Sequence, residues 1–433
     1  MLPSDAPSEV PEEMPGRETL CSKFGGISWP YVVRRFLPAA ILLSTLITIF
    51  GMPGCGGAGG TTPGLLTYGA PVVVSGTANS ADVVNGHTGK SHLVGNAGPY
   101  GKGLFWASPT AAPQTLPGDL TIEALGINDQ DAVVGSTAVP NGNVPAPVYW
   151  ASPKSAPVTL NVPDAYSGFA NYASGVNDRN QIVGYLLSPY GIVSVYWPSP
   201  NSAMQVLPGN IGDTEPIQIT NTGVILGSTS VVGQSVVWKS PTSQPITLHP
   251  TGGSATATTA ETVNESGAAV GFEVPTTGTT GTTGTTGLST AGTTGMLSAV
   301  TAGDEPVVHI DRLGANSPKA ATRSAVRNTG VLWSPPSYVP STLRVTNLSQ
   351  ETLTSINSSG AILGGVVDNK GRSFTMIWLP GREGVDISTL VKDTGGFTFA
   401  GGGTIFDDYS VILNATDSKG VKELVYLPVK TGP

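Results

Sequence analysis

The chain is poor in cysteine, histidine and charge, and each shortage excludes a class of protein. Its 433 residues include 2 cysteines, 4 histidines and 12% charged residues, with a net charge of −8. No run of basic residues is longer than two, so the chain lacks the basic footprint of a nucleic-acid-binding protein. Both cysteines, Cys21 and Cys55, lie in the first 55 residues, which excludes disulfides and thiol chemistry from the rest of the chain.

Glycine, proline and aliphatic residues are abundant instead. The chain has 57 glycines and 36 prolines, yet 39% of its residues are hydrophobic. A disordered chain with this glycine and proline content would have few aliphatic residues. The composition therefore predicts many short strands joined by Gly/Pro turns around a packed core.

The N-terminal part has the organisation of an export signal. Residues 1–35 lack hydrophobic periodicity and are predicted to be disordered, and two arginines then precede the apolar run Phe36–Met52. The segment 36–55 ends in Pro-Gly-Cys and resembles a bacterial lipoprotein signal, in which the cysteine, here Cys55, is lipidated. Residues 56–68 are read as a flexible linker. The alternative is an uncleaved signal anchor, and both readings place the remainder outside the cytoplasm, attached to a membrane.

A unit of about 45 residues, clearest at Thr121–Leu160, recurs along residues 69–429. Each unit has an alternating apolar segment ending at Asn, a polar turn, an aliphatic segment ending at Gly, a variable loop, a strand ending at Trp and a last short strand. The markers are Asn128, Asn177, Asn221, Asn264 and Asn357; Gly135, Gly184, Gly227, Gly271 and Gly364; and Trp106, Trp150, Trp197, Trp238, Trp333 and Trp378.

The repeat has one interruption and one eroded copy. A Thr/Gly-rich low-complexity insertion at about 275–325 separates the second and third strands of the fifth unit. A seventh unit closes the chain, with Asp407 in the place of the marker Asn, Asn414 in that of Gly, and Tyr426-Leu427 near the Trp position.

Four short strands in a unit of this length predict one blade of a β-propeller. The chain is accordingly predicted to be all-β, with seven four-stranded blades, and the segment Pro71–Val74 is expected to supply the strand that completes the last blade. Such closure removes exposed sheet edges. The alternative is an open β-solenoid.

The I-N-D/N-x-G/N-x-I-V-G pattern followed by an aromatic-Trp strand resembles the HAF-type extracellular repeat over roughly residues 81–429. The resemblance implies a bacterial, exported, β-rich repeat protein. It implies no activity, and no catalytic residue can be transferred from it.

The candidates for chemistry each have a structural explanation. The four histidines have no companion ligands for a zinc site, and the acids after the marker Asn, such as Asp129 and Asp178, are explained by turn chemistry better than by calcium loops. Asn is interpreted as a hairpin residue that tolerates positive φ, and Gly as a strand feature. Trp is interpreted as inter-blade core rather than as a sugar-binding platform. No catalytic, cofactor or metal residue is predicted.

Three functions remain open. The first is a non-catalytic extracellular protein that binds a glycan, peptide or protein through its variable loops, which are the loops equivalent to that between Gly135 and Val148. The second is an exported polysaccharide hydrolase or lyase with two carboxylates in a central pocket. The third is a structural cell-envelope lipoprotein with a large exposed apolar patch.

Overall fold

The computed structural model describes residues 66–74, 83–97, 102–118, 122–139, 142–209, 214–229, 234–252, 256–275, 328–343 and 348–430. The chain divides into two compact units, Met1–Thr61 and Thr62–Pro433, and every described residue belongs to the second. The predicted segments 1–35 and 36–55, the lipidation candidate Cys55 and nearly all of the predicted insertion lie outside the described residues.

The second unit is a seven-bladed β-propeller, as predicted. Each blade is a four-stranded antiparallel sheet. The described part of the chain begins with β1 (Thr67–Tyr68) and β2 (Val72–Val73). Blades 1 to 3 are β3 (Val83–His87), β4 (Leu93–Asn96), β5 (Gly103–Trp106) and β6 (Gln114–Thr115); β7 (Ile122–Ile127), β8 (Val133–Val139), β9 (Gly142–Trp150) and β10 (Val158–Thr159); and β11 (Asn171–Val176), β12 (Ile182–Ser188), β13 (Gly191–Trp197) and β14 (Gln205–Val206).

Blades 4 to 6 continue the same order. They are β15 (Thr214–Ile219), β16 (Ile225–Thr229), β17 (Ser235–Trp238) and β18 (Pro245–Leu248); β19 (Thr256–Val263), β20 (Ala269–Pro275), β21 (Thr329–Ser334) and β22 (Val339–Thr342); and β23 (Leu348–Ile356), β24 (Ile362–Asp368), β25 (Ser373–Trp378) and β26 (Val385–Asp386). The predicted insertion thus separates β20 from β21. Two 3-10 helices, Asp164–Tyr166 and Ile387–Leu390, lie in the links after blades 2 and 6.

Blade 7 is built from both ends of the described chain. It contains β27 (Thr398–Ile405), β28 (Val411–Thr416) and β29 (Lys422–Leu427), and β2 is its outermost strand. Val72 pairs with Tyr426, and the Val74 N–H donates to the Leu424 carbonyl at 2.9 Å. The predicted closing strand is confirmed. A further pair, β1 with β30 (Val429–Lys430), adds to this closure.

The Trp markers fill the seams between blades. Five of the six are the last residue of the third strand of a blade, Trp333 is the last but one, and all are at most 3% exposed. Four of their indole N–H groups donate to a backbone carbonyl in the link that follows the preceding blade: Trp150 to Pro117, Trp197 to Asn161, Trp238 to Pro208 and Trp333 to His249. An indole ring buried in this way has no free face on which a sugar could stack.

The Gly markers lie opposite a β-bulge in the first strand of their blade. In blade 3 the pairing of β11 with β12 shifts register between Ala173 and Gly175. The Tyr172 carbonyl oxygen consequently lies 2.0 Å from the position that a Cβ on Gly184 would occupy. The same approach of a first-strand carbonyl, at 1.7, 1.9 and 2.6 Å, holds for Gly135, Gly271 and Gly364, whereas a Cβ on Gly227 would meet the Trp238 ring at 2.7 Å. Glycine is required here because a main-chain oxygen or a Trp ring occupies the space of a side chain.

The antiparallel order gives the propeller two different faces. We call the turn face the one that carries the hairpins between first and second strands, such as Asn128–Ala132, together with the turns between third and fourth strands. We call the loop face the opposite one, which carries the connections between second and third strands, such as Ser188–Gly191, and the starts of the first strands. The variable loops singled out in the sequence therefore belong to the loop face.

Candidate functional site: the central channel

The hairpins of the turn face are tied to one another by the marker asparagines. Asn128 is 4% exposed, and its Oδ1 accepts the N–H groups of Gln130 and Ala132 at 3.1 and 2.9 Å. Its Nδ2 donates across the seam to the carbonyl of Asn177 in the next blade at 2.8 Å. One side chain thus closes its own turn and links two blades.

The same bond recurs around the ring, with three exceptions. Asn177 donates to Thr220, Asn264 to Asn357, and Asn357 to Phe406, at 2.9, 3.0 and 3.1 Å. The equivalent positions in blades 1, 4 and 7 are Thr88, Thr220 and Phe406, which have no amide to donate.

Two details of the sequence interpretation are corrected by these hairpins. In blade 4 the position equivalent to Asn128 is occupied by Thr220, not by the marker Asn221, and in blade 7 it is occupied by Phe406, not by Asp407. Positive φ falls on the fourth residue of the hairpin, as at Asp131 (φ 64°) and Gly223 (φ 89°), and not on the marker Asn. The side chain of Asn, rather than its backbone, is what the turn requires.

The second residue of each hairpin takes part in another circle of hydrogen bonds, which the sequence reasoning missed. In these bonds, its backbone N–H donates to the side chain of the equivalent residue in the next blade. The pairs are Gly89 to Asp129, Asp129 to Asp178, Asp178 to Asn221, Asn221 to Glu265 and Ser358 to Asp407, all at 2.8 Å. The recurrence of an acid or amide directly after the marker was the available signal.

Carboxylates meet where this circle passes the small residue Gly89. A Cβ on Gly89 would lie 3.1 Å from Asp407 Oδ2 and 3.4 Å from Asp129 Oδ2, so the two acids approach each other over the glycine. Glu265 belongs to the same circle. Burial raises its pKa, the hydrogen bond from the Asn221 N–H opposes the rise, and the charges of Asp178, Asp129 and Asp407 add to it.

The first strands of the blades enclose a channel of about 350 Å³. Its described wall contains six carboxylates: Asp129, Asp178, Glu215, Glu261, Glu265 and Asp407. No Lys, Arg or His is present in this wall, as far as the structure describes it. A carboxylate-lined space without any cation generates a negative potential that favours positively charged occupants.

Acidic groups also cluster at the loop-face end of the first strands. Burial raises the pKa of Glu123 to about 7. Burial, followed by the charges of Glu123 and Glu215, also raises the pKa of the Tyr172 hydroxyl. Tyr172 stacks on Tyr185 with ring centroids 5.0 Å apart. The three groups at this end therefore share one electrostatic environment.

His92 and His249 lie away from the channel wall. His92 Nδ1 is 2.5 Å from Asp131 Oδ1, and this pair joins blade 1 to blade 2 at the turn face. His249 lies in the link after blade 4, the side chain of His87 is outside the described part, and so is the whole of His309. Within the described ranges, no three His, Cys, Asp or Glu residues are arranged to hold a metal ion.

Cys55 lies outside the described ranges, so the lipidation prediction stays a prediction. Among the described residues, no helix has the length and apolarity needed to cross a membrane.

The fold and the channel define the class of protein, a seven-bladed β-propeller. No family model matches this sequence, and no curated protein sequence matches it either. Among solved structures, the chain is similar to oligogalacturonate lyase from Vibrio parahaemolyticus, with a TM-score of 0.48 and 10% identity over 84% of this chain and 97% of that chain. It is also similar to YCF48 from Cyanidioschyzon merolae, with a TM-score of 0.46 and 8% identity over 83% and 99%. These similarities are ones of fold.

Proposed function

We propose that this propeller is an exported, membrane-anchored, non-catalytic protein that binds a peptide or protein partner through its loop face. In this proposal, a cationic side chain of the partner enters the central channel. The observation that carries the proposal is the channel wall, which has six carboxylates and, in its described part, no basic residue. The lipoprotein-like leader ending at Cys55 and the resemblance to exported repeats support the proposed export and membrane anchoring.

The repeat markers support a binding role because they are committed to the scaffold. Asn128 closes a turn, Gly184 yields space to a carbonyl and Trp197 fills a seam. Variation is left to the loop face, where Tyr190 at the tip of the blade 3 hairpin is 99% exposed. An exposed aromatic side chain on a hydrogen-bonded hairpin is typical of a contact residue in a protein interface.

The test compares two short peptides that differ in one group, arginine and its neutral isostere citrulline. We expect the full-length protein to bind the arginine peptide at least tenfold more tightly, because desolvated charge pairs contribute on the order of 1.5–3 kcal/mol. Replacing Glu215 and Glu261 together by Gln should remove the difference. Glu383→Gln, an exposed carboxylate on the turn between β25 and β26, is the matched control and should change nothing.

Equal affinity for the two peptides, or an unchanged preference in the double variant, would refute the cationic occupant. Fluorescence anisotropy at low and high salt measures both quantities. Preferential binding of a neutral glycan, with no effect of the Gln substitutions, would favour a glycan partner instead.

A hydrolase or lyase is the second candidate, and one observation favours it. Burial, together with the charges of Asp178, Asp129 and Asp407, raises the pKa of Glu265, and a carboxyl of raised pKa near a second carboxyl is a feature of glycosidic cleavage. Release of reducing ends or unsaturated sugars from polysaccharides by the full chain, abolished by Glu265→Gln, would establish it. A scaffold-only lipoprotein has less support, since the large exposed apolar side chains of the described residues are six valines and one tyrosine spread over five blades.

A further inference from the structure

The direction in which the chain joins the propeller bears on how an anchored propeller is oriented. In blade 7, β2 runs antiparallel to β29, and Val72 is opposite Tyr426 while Val73 is opposite Val425. Since β29 ends at the turn face, with Leu427 opposite Val411 at the start of β28, the chain comes into the closing strand from the turn face.

This point of arrival is fixed to the ring by several contacts. Tyr68 is fully buried, and its hydroxyl donates to the carbonyl of Tyr409, in the turn-face hairpin of blade 7, at 3.0 Å. Next to it, the Gly69 N–H donates to the Pro428 carbonyl at 2.8 Å. The strand pair β1–β30 therefore holds the start of the described chain on the turn-face side of blade 7.

From these contacts we infer that the anchored propeller has its turn face towards the membrane and presents its loop face outwards, as the surface that meets a soluble partner. The inference rests on the proposed anchoring at Cys55. It goes further than that proposal because it assigns the two faces to different surroundings: lipid headgroups on one side and a protein or peptide partner on the other.

Chain length favours the orientation with the turn face towards the membrane. Eleven residues separate Cys55 from Thr67, and an extended chain spans about 36–40 Å over that length. A blade with its turns is about 30 Å deep, from strands of six or seven residues at about 3.3 Å each. If the loop face were turned to the membrane, passing the depth of a blade would use about 30 Å and leave about 6–10 Å to reach the bilayer, whereas the whole length is left in the other orientation.

The experiment fixes the anchor chemically, so that it does not depend on cellular lipidation. The full chain, with Cys21→Ser, is coupled through Cys55 to maleimide lipid in phosphatidylcholine vesicles. Azidophenylalanine replaces either Lys154, exposed on the turn face, or Tyr190, exposed on the loop face, and is labelled with a donor fluorophore. Energy transfer to acceptor lipid reports the distance of each face from the bilayer.

We expect transfer from the label at position 154 to be at least twofold more efficient than from the label at 190. Equal efficiencies, or a higher efficiency from 190, would overturn the inference. A separate measurement, the mass of the N-terminal peptide from membranes of producing cells, tests the anchor itself. An unmodified Cys55 within a continuous chain would defeat the anchoring proposal while the vesicle result still stands for the geometry.

Discussion

The marker asparagine has two roles that can be measured separately, one within its own hairpin and one between blades. Asn128 accepts two N–H groups within its own hairpin and donates to the next blade, to the Asn177 carbonyl at 2.8 Å and to Asn180 Oδ1 at 3.3 Å. Each such bond contributes about 1 kcal/mol net, and a buried group that loses its partner costs about as much again. We expect Asn128→Ala to lower the free energy of unfolding by about 3–4 kcal/mol.

Blade 1 has a residue at this position that keeps one of the two roles of Asn128 and lacks the other. At the equivalent position of blade 1, Thr88 Oγ1 accepts the N–H groups of Lys90 and His92, both at 3.1 Å, but it has no amide to donate to blade 2. Asn128→Thr should therefore keep the hairpin and lose only the inter-blade bond, at a cost of about 1 kcal/mol.

Urea unfolding followed by the fluorescence of the buried tryptophans gives the free energies. Asn201→Ala is the matched control, because Asn201 is exposed on the turn between β13 and β14, and it should stay within about 0.5 kcal/mol of wild type. Asn128→Ala within that same margin, or Asn128→Thr as unstable as Asn128→Ala, would refute the two roles assigned to the side chain.

Three further predictions follow from close contacts and burial. Gly184→Ala should destabilise the protein by several kcal/mol because its Cβ would meet a carbonyl oxygen at 2.0 Å. Gly168→Ala, whose Cβ would have no atom within 4 Å, should be close to neutral in the same unfolding assay. Equal effects of the two substitutions would contradict this explanation. Trp197→Phe should lower the free energy of unfolding more than Trp378→Phe, because the Trp197 indole donates to a carbonyl at 2.9 Å while that of Trp378 has no acceptor among the described residues. Calorimetry that ranks the two variants the other way would contradict this prediction. Burial raises the pKa of Glu351 from 4.5 to about 7, so the folded state binds a proton more tightly than the unfolded state; its contribution to stability is complete below pH 4.5 and is lost as pH rises through about 7. Melting temperatures between pH 5 and 8 should therefore fall less in Glu351→Gln than in wild type, and parallel curves would show that Glu351 does not titrate in this range.

Much of the fold could be predicted because the same strand, turn and Trp pattern recurs in each repeat unit. The short apolar segments on either side of a polar turn predict strand hairpins, and the recurrence of Trp150 and its equivalents at one place predicts a shared packing role. The closing strand was predictable because Pro71–Val74 is a β-branched segment placed before the first complete unit.

The roles of Asn and Gly were less accessible because they depend on neighbouring blades. Nothing near Asn128 in the sequence indicates that its amide reaches Asn177, and nothing near Gly184 indicates that a bulge brings the Tyr172 carbonyl onto it. The one-residue offset at Asn221 arises because a Thr takes over the acceptor role at Thr220, which the pattern of letters hides.

The residues that give the channel its acidic lining could not be identified from the sequence. Its carboxylates come from the first strands and hairpins of different blades, such as Asp129, Glu215 and Asp407, which are far apart along the chain. Only the closed ring brings them together. The low charge content of the whole chain therefore gave no indication that carboxylates are concentrated in the channel wall.

Photo-crosslinking with a peptide that has an arginine next to a diazirine-bearing residue shows whether a cationic side chain enters the channel. Mass spectrometry of the crosslinked full-length protein locates the bound side chain. We expect crosslinks to the first strands that line the channel, such as β11 and β15, and we expect excess arginine peptide, but not citrulline peptide, to suppress them. Crosslinks confined to the outermost strands, or equal suppression by both peptides, would contradict this expectation.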